Sequence, residues 1–211
     1  SLPGWEETAL TLKDTADLVI IGGGIQGLSL AYHLAVRGLA DVCLLEMNSL
    51  GSGSSGRSAA VIGHAFPNED CLPLVRYAFG AVQRFKEEMG ADPGWEPIGN
   101  LLIAGSSGAP GLQRRHAILQ EQGIAGELVD RQAIQRLTPG LNLEDIALGW
   151  YGAAEGCIDP HSLMMGYAAQ ARRHGVRLVE GVRATGLEIR NDRVTGVRTP
   201  AGTIHTPCVV N

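Results

Sequence analysis

The 211-residue chain has no apolar run long enough to cross a membrane, which takes roughly 18 to 20 consecutive residues. Its first residues, Ser-Leu-Pro-Gly-Trp-Glu-Glu, lack the basic stretch and following apolar stretch of a secretory leader. Export is therefore not expected, and a cytoplasmic location is. Positive charge is scarce: 17 Lys and Arg stand against 22 Asp and Glu, for a net charge of -5, and nowhere do the cations cluster. That excludes the electrostatic footprint of a nucleic-acid binder. The four cysteines, Cys43, Cys71, Cys157 and Cys208, form no CxxC pair and have no histidines at matching spacing. Neither a zinc site nor a redox dithiol is implied, and buried reduced thiols are expected.

Apolar residues make up 45% of the chain, enough for one generous domain or two smaller ones sharing a core. From Ala16 the chain runs through a short apolar stretch, Leu18 to Ile21, then a glycine cluster, then Ile25, Leu28, Leu34 and Ala35 at helical spacing. Gly38 follows, where a helix end favours positive φ, and Val42 to Leu45 make a second apolar stretch. Continuous apolar strands without polar alternation belong in a parallel sheet covered on both faces, so the segment is a βαβ unit.

Further along, helices are expected over Pro73 to Met89, Leu112 to Gln122, Gln132 to Leu137 and His161 to about His174. A strand pair is expected over Trp95 to Ala104. Later strands are expected at Arg177 to Glu180, Ala184 to Arg190, Arg193 to Thr199 and Thr203 to Val210, with turns at Asn191-Asp192 and Ala201-Gly202. The middle third breaks the βα alternation, which an inserted α+β layer explains. The resulting division is an N-terminal extension (1–15), a dinucleotide-binding part (16–92 and 155–211) and a partial substrate or cap layer (93–154). The chain starts at Ser rather than Met, which suggests processing or a cloning remnant, and it stops just after an apolar run at Val209-Val210. The fold is expected to continue elsewhere, in a second polypeptide or in further residues of a longer enzyme, and the chain alone to hold its cofactor poorly.

Gly22, Gly24 and Gly27 form a GxGxxG at the junction of the first strand and helix. The first glycine permits the tight turn, the second lets the backbone approach a pyrophosphate, and the third lets helix and strand pack closely. The helix N-terminus adds N–H donors and partial positive charge. Glu46, about twenty residues on at the end of the second strand, can accept hydrogen bonds from an adenosine ribose and repels a 2′-phosphate. These features specify a dinucleotide without separating NAD from FAD.

The segment Gly51-Ser52-Gly53-Ser54-Ser55-Gly56-Arg57-Ser58-Ala59-Ala60-Val61-Ile62 resembles the second flavin-contacting stretch of the D-amino-acid-oxidase-like superfamily, to which glycine oxidase, sarcosine oxidase and sarcosine or dimethylglycine dehydrogenases belong. Gly156-Cys157-Ile158-Asp159-Pro160 before a helix, and closing strands ending in Val209-Val210-Asn211, match the same layout. The resemblance implies an α/β, Rossmann-like FAD-binding domain with a partial β-rich substrate layer. It implies flavin-dependent oxidation of a C–N bond in a small amino acid or secondary amine. By the same matching, Ile25, Gln26 and Met47 flank the phosphate and ribose. Ser54, Ser55, Gly56, Arg57, Ser58, Ala59, Ala60 and Val61 line the flavin side, and Ala184 meets the adenine. Members that bind flavin covalently in this loop carry His about where this chain has Ser58, so FAD is expected to be non-covalent.

Some members place a basic residue near the flavin at about Gly63; His64 is adjacent and is a weak substitute, packing being the simpler role. His33, His116, His161, His174 and His205 show no metal-like grouping, Asp159 reads as a helix N-cap, and Trp5, Trp95 and Trp150 as packing residues. No catalytic residue is assigned. The rival readings are a nicotinamide-dependent dehydrogenase and a non-catalytic FAD-binding subunit.

Overall fold

The computed structural model describes residues 13–64 and 68–211; Trp5 and most of the expected N-terminal extension lie outside them. In chain order the elements are β1 (Leu18–Ile21), α1 (Ile25–Val36), β2 (Val42–Leu45), β3 (Val61–Ile62), α2 (Leu72–Met89), β4 (Asn100–Ala104) and α3 (Ala109–Glu121). They continue as β5 (Glu127–Val129), α4 (Arg131–Leu137), β6 (Leu148–Gly152), β7 (Gly156–Cys157), α5 (Pro160–Arg173) and β8 (Arg177–Val179). The last are β9 (Gly186–Arg190), β10 (Arg193–Thr199), β11 (Gly202–His205) and β12 (Val209–Val210). By contacts the chain forms two compact units, residues 1–57 with 164–211, and residues 58–163. α2, grouped from sequence with the dinucleotide-binding part, clusters with the second unit.

The first unit is α/β. Its sheet runs β12-β1-β2-β8 with every pairing parallel, Val19 standing opposite Cys43 and Leu44 opposite Leu178. Val19, Val42, Cys43 and Leu44 are wholly buried, as the unalternating apolar runs require. Each large side chain so buried stabilises the fold by about 1.5–3 kcal/mol. A three-stranded antiparallel sheet, β11-β10-β9, adds Val197 and Ile204 to the same core as Val19, Cys43, Leu45 and Val179. α1 ends at the expected place, with Gly38 at φ +92° just past it. The sequence reads Thr203 to Val210 as one strand, but it divides into β11 and β12 in different sheets. Pro207 lies in the break, where it has no N–H to give a ladder.

The second unit is built on the antiparallel sheet β4-β6-β5. Trp150 in β6 is 1% exposed and packs with Leu72, Leu112, Leu119 and Ile124, which makes it a packing residue as expected. Its neighbours in the strand are thinned to admit it and the adjacent helix. A Cβ on Gly152 would lie 2.6 Å from the Trp150 ring, and one on Gly149 2.7 Å from Val129. The strand pair expected at Trp95 to Ala104 is a single strand, β4. Ahead of it Glu96 makes only an isolated bridge to Cys157, and Gly99 turns the chain at φ +81°. Asp159 accepts the N–H groups of His161 and Ser162 and so caps α5. The Ser162 hydroxyl, then these N–H groups, hold its carboxyl below the usual carboxylate range.

All four cysteines are free, but only Cys43 is buried. Burial pushes its thiol up. Cys71 and Cys208 are exposed, against expectation: Cys71 ends a short 3-10 turn before α2, and Cys208 lies in the connection between β11 and β12.

Candidate cofactor site

The turn from β1 into α1 is made by three glycines whose backbones are engaged from several directions. Gly22, at φ +112°, donates its N–H to Leu45 O at 2.8 Å, which ties the turn to the end of β2. Gly23 donates to Glu46 Oε2 at 2.8 Å and accepts from the N–H of Gly51 at 2.9 Å. Gly24 opens α1 in an extended conformation without a side-chain cap. Gly27 sits where a Cβ would fall 2.0 Å from Gly22 O, so no larger residue fits without moving the helix off the strand. This is the close helix–strand approach for which the third glycine of such a motif is required.

The first hydrogen bond inside α1 runs from Leu28 N to Gly24 O, leaving the N–H groups of Ile25, Gln26 and Gly27 without intrahelical partners. Ile25 N–H meets Ser55 Oγ at 3.1 Å. Those of Gln26 and Gly27 remain in the first turn, where helix geometry concentrates partial positive charge suited to an anion.

Glu46 is 9% exposed at the end of β2. Its two oxygens accept from Gly23 N–H and Asn48 N–H, each at 2.8 Å. A carboxylate has about four acceptor sites, so these bonds orient it and leave capacity for a ligand's hydroxyls. Two cavities adjoin here and share Gly22 and Glu46. The larger, about 560 Å³, is lined by Gly22, Gly24, Ile25, Gln26, Gly27, Ser54 and Ser55. The other, about 270 Å³, is lined by Met47, Arg57, Val182, Arg183 and Ala184.

The loop of small residues is shaped by its glycines. Gly51 lies at φ +77°, Gly56 N–H bonds Gly51 O at 3.1 Å, and a Cβ on Gly56 would come within 2.4 Å of that same oxygen. Arg57 donates to Ser52 O at 3.2 Å. Ser58, Ala59, Ala60 and Val61 line neither cavity and belong to the second unit. There Ala60, at φ +56°, accepts from Ile158 N–H at 3.1 Å, and Val61 and Ile62 pair with β7.

The structure thus gathers eleven of the sixteen residues singled out from sequence around two adjoining cavities, while Gly56 and Ser58 to Val61 line neither. Asn48, Val182 and Arg183 also line the site and are not marked by the motif. Asn48 follows the acidic residue by two positions, which is a local signal. Val182 and Arg183 reach the site through long-range pairing, Val182 N–H bonding Glu46 O at 3.0 Å. His64 is packed rather than solvated, 8% exposed with its ring 4.5 Å from that of Phe79. Among the described residues no group of His, Cys, Asp or Glu is arranged to hold a metal.

A glycine turn, an open helix N-terminus and an oriented carboxylate at the end of the next strand are how α/β proteins hold a dinucleotide. The family described as "DAO: FAD dependent oxidoreductase" matches residues 17–211, and the chain belongs to it. Rat dimethylglycine dehydrogenase, mitochondrial (Rattus norvegicus), is 34% identical over 201 residues, covering 94% of this chain and 23% of its own. The pyruvate dehydrogenase phosphatase regulatory subunit, mitochondrial, of Mus musculus is 28% identical, over 98% of this chain and 24% of that protein. Among solved structures, L-proline dehydrogenase from P. horikoshii matches at 27% identity with a TM-score of 0.86, over 95% of this chain and 53% of that one. The chain spans about a quarter of the length of these curated relatives.

Family membership settles what the glycines leave open: the implied cofactor is FAD rather than NAD. FAD fits the residues present, because the space a Cβ on Gly27 would need is taken by Gly22 O, Glu46 is oriented by two backbone N–H groups, and both cavities border it.

Proposed function

We propose that this chain is the FAD-binding portion of an enzyme that oxidises a C–N bond in a small amino acid or N-methylated amine. The observation that carries this reading is the match of residues 17–211 to an FAD-dependent family, with an α1 N-terminus and oriented Glu46 at the cavity. FAD, when bound, supplies the acceptor for the substrate's hydride. The chain's own groups hold and orient it. The N–H groups of Gln26 and Gly27 take the pyrophosphate, Glu46 and Met47 the ribose side, and Ala184 the adenine. Ser54, Ser55 and Arg57 serve the flavin side, to which the resemblance adds Gly56, Ser58, Ala59, Ala60 and Val61, although these line neither cavity. With Ser58 in the loop, the flavin is held without a covalent bond.

The groups that grip the substrate come in large part from polypeptide beyond this chain, in the same or a second subunit. The relatives' greater length supports this. The test is an absorbance spectrum before and after acid precipitation, followed by anaerobic addition of sarcosine, dimethylglycine or proline. Flavin released to the supernatant and bleached by one of these is the expected result. A colourless protein in the complete assembly overturns the cofactor assignment.

A second reading, a non-catalytic FAD-binding subunit, is favoured by the likeness to a protein named as a regulatory subunit. Flavin that stays oxidised with every amine tried, in the complete assembly, would select it.

A further inference from the structure

Glu155 is 2% exposed, in the turn between β6 and β7, and its carboxyl group lines neither cofactor cavity. Its carboxylate takes three polar contacts: His64 N–H at 2.6 Å, His64 Nδ1 at 3.2 Å and Asn100 Nδ2 at 2.9 Å. A buried carboxylate is stable only when donors surround it, and here two of the three come from one residue. An ionised carboxylate can only accept, so a hydrogen bond between it and Nδ1 requires the imidazole proton on that nitrogen.

The same carboxylate fills the space beside position 63. A Cβ on Gly63 would lie 2.2 Å from Glu155 Oε2 and 2.7 Å from its Cδ, although Gly63 has no positive φ that demands glycine. Chain positions 60 to 64 are therefore strapped to 155 to 158 at three points: Ile158 N–H to Ala60 O, the β3–β7 pairing, and Glu155 to His64.

We propose that Glu155 is a positioning residue for the segment from Ala60 to His64: it fixes the backbone at His64, places the imidazole proton on Nδ1 and excludes any side chain at position 63. Its bearing on FAD rests on the reading of Ser58 to Val61 as flavin-facing. Any side chain at position 63 would have to displace the Glu155 carboxylate from its donors, which accounts for the glycine there.

Two measurements test this. Nitrogen-15 NMR of histidine-labelled protein should show His64 protonated at Nδ1, with that signature lost in Glu155→Gln. A Gln at 155 can still accept the His64 N–H, but its amide turns a donor toward Asn100 or Nδ1. An Nδ1 without a proton in the unsubstituted protein, or an unchanged imidazole in Glu155→Gln, overturns the proposal.

The second measurement is FAD affinity in a Gly63→Ala and Glu155→Ala double-mutant cycle. Gly63→Ala alone should weaken FAD about tenfold, the effect of overpacking a filled site. With the carboxylate already removed it should change affinity less than about twofold, because coupled neighbours are non-additive. Additive effects, or an FAD affinity indifferent to every variant, overturn the claim that Glu155 positions the cofactor-facing segment. If the unsubstituted holoprotein holds no FAD, the cofactor half of the inference falls with the functional reading, while the NMR result still decides whether Glu155 sets His64.

Discussion

In the unit formed by residues 1–57 and 164–211, the closest approaches of backbone to backbone are local in sequence. Gly27 abuts Gly22 O and Gly56 abuts Gly51 O, each five positions earlier in the chain. In residues 58–163 the closest approach is also to backbone, a Cβ on Gly156 falling 1.9 Å from Glu96 O, but it joins distant segments, and buried side chains supply the other tight contacts. Glu155 meets His64 across 91 positions, and the Trp150 ring lies against Gly126 and Gly152. The first unit thus builds a site for a ligand's charged groups by removing side chains. The second builds its interior by burying a large aromatic and one carboxylate with its donors. A local device leaves a spacing in the sequence; a long-range one leaves only an isolated Glu, His or Trp.

The sharpest way to separate the two units is to empty the second. Trp150→Ala should destabilise it by about 3–5 kcal/mol, the usual range for a buried aromatic. Limited proteolysis should then cut within residues 58–163 before the rest, and cuts falling evenly along the chain would show that the two units unfold as one. Gly27→Ala should come next, at about 2–3 kcal/mol, since overpacking a filled contact costs on that order. Here the loss should fall chiefly on FAD retention, read from the flavin that stays with the protein through gel filtration. Full retention would mean that helix and strand can part without cost.

Glu46→Gln should be milder. The Gln amide can accept from Gly23 or Asn48 but must turn a donor toward the other N–H. FAD affinity should fall about tenfold, within the roughly 1–3 kcal/mol expected for an unsatisfied buried group. Equal affinity in a titration would remove Glu46 from the site.

The smallest effect should come from Asp41. Burial raises its carboxyl, but hydrogen bonds from Lys13 and Arg177, the latter at 2.9 Å, outweigh this and leave it below the usual carboxylate range. A depressed folded-state value means that the contribution is complete above the unfolded value, near pH 4, and is lost as pH falls through the folded value. Asp41→Asn should therefore cost under about 1 kcal/mol at neutral pH, as partly exposed pairs do, with the difference from the unsubstituted protein closing in acid. A difference that widens below pH 4 in denaturant melts would contradict the sign.

Much of the first unit was legible from residues 16 to 46, because each device there acts within a turn or two. Unalternating Leu, Val and Ile gave buried parallel strands, Gly38 marked a helix end, and the glycines marked the turn at their spacing. The later strands were found less well: Thr203 to Val210 reads as one apolar run, and only Pro207 and the competition of two sheets divide it. β6 is hidden because Gly149 and Gly152 dilute its apolar pattern, although those glycines are what admit Trp150 and Ile134, and β5 is hidden because its three residues are too few to show a period. In the candidate site, the glycines and Glu46 announce themselves, whereas Val182 and Arg183 arrive only through the pairing of their segment with the end of β2.

The sequence by itself determined the βαβ unit, the anion-ready turn and the acidic residue after it. Backbone torsion, hydrogen bonding and side-chain size over a few neighbours suffice to specify them. Tertiary structure alone decided that Ser58 to Val61 cluster with the second unit, that Cys71 and Cys208 lie exposed, and that a lone His64 meets a buried Glu155. Each of these depends on which distant segments share a sheet, and burial of a charge becomes visible only once those segments supply its donors.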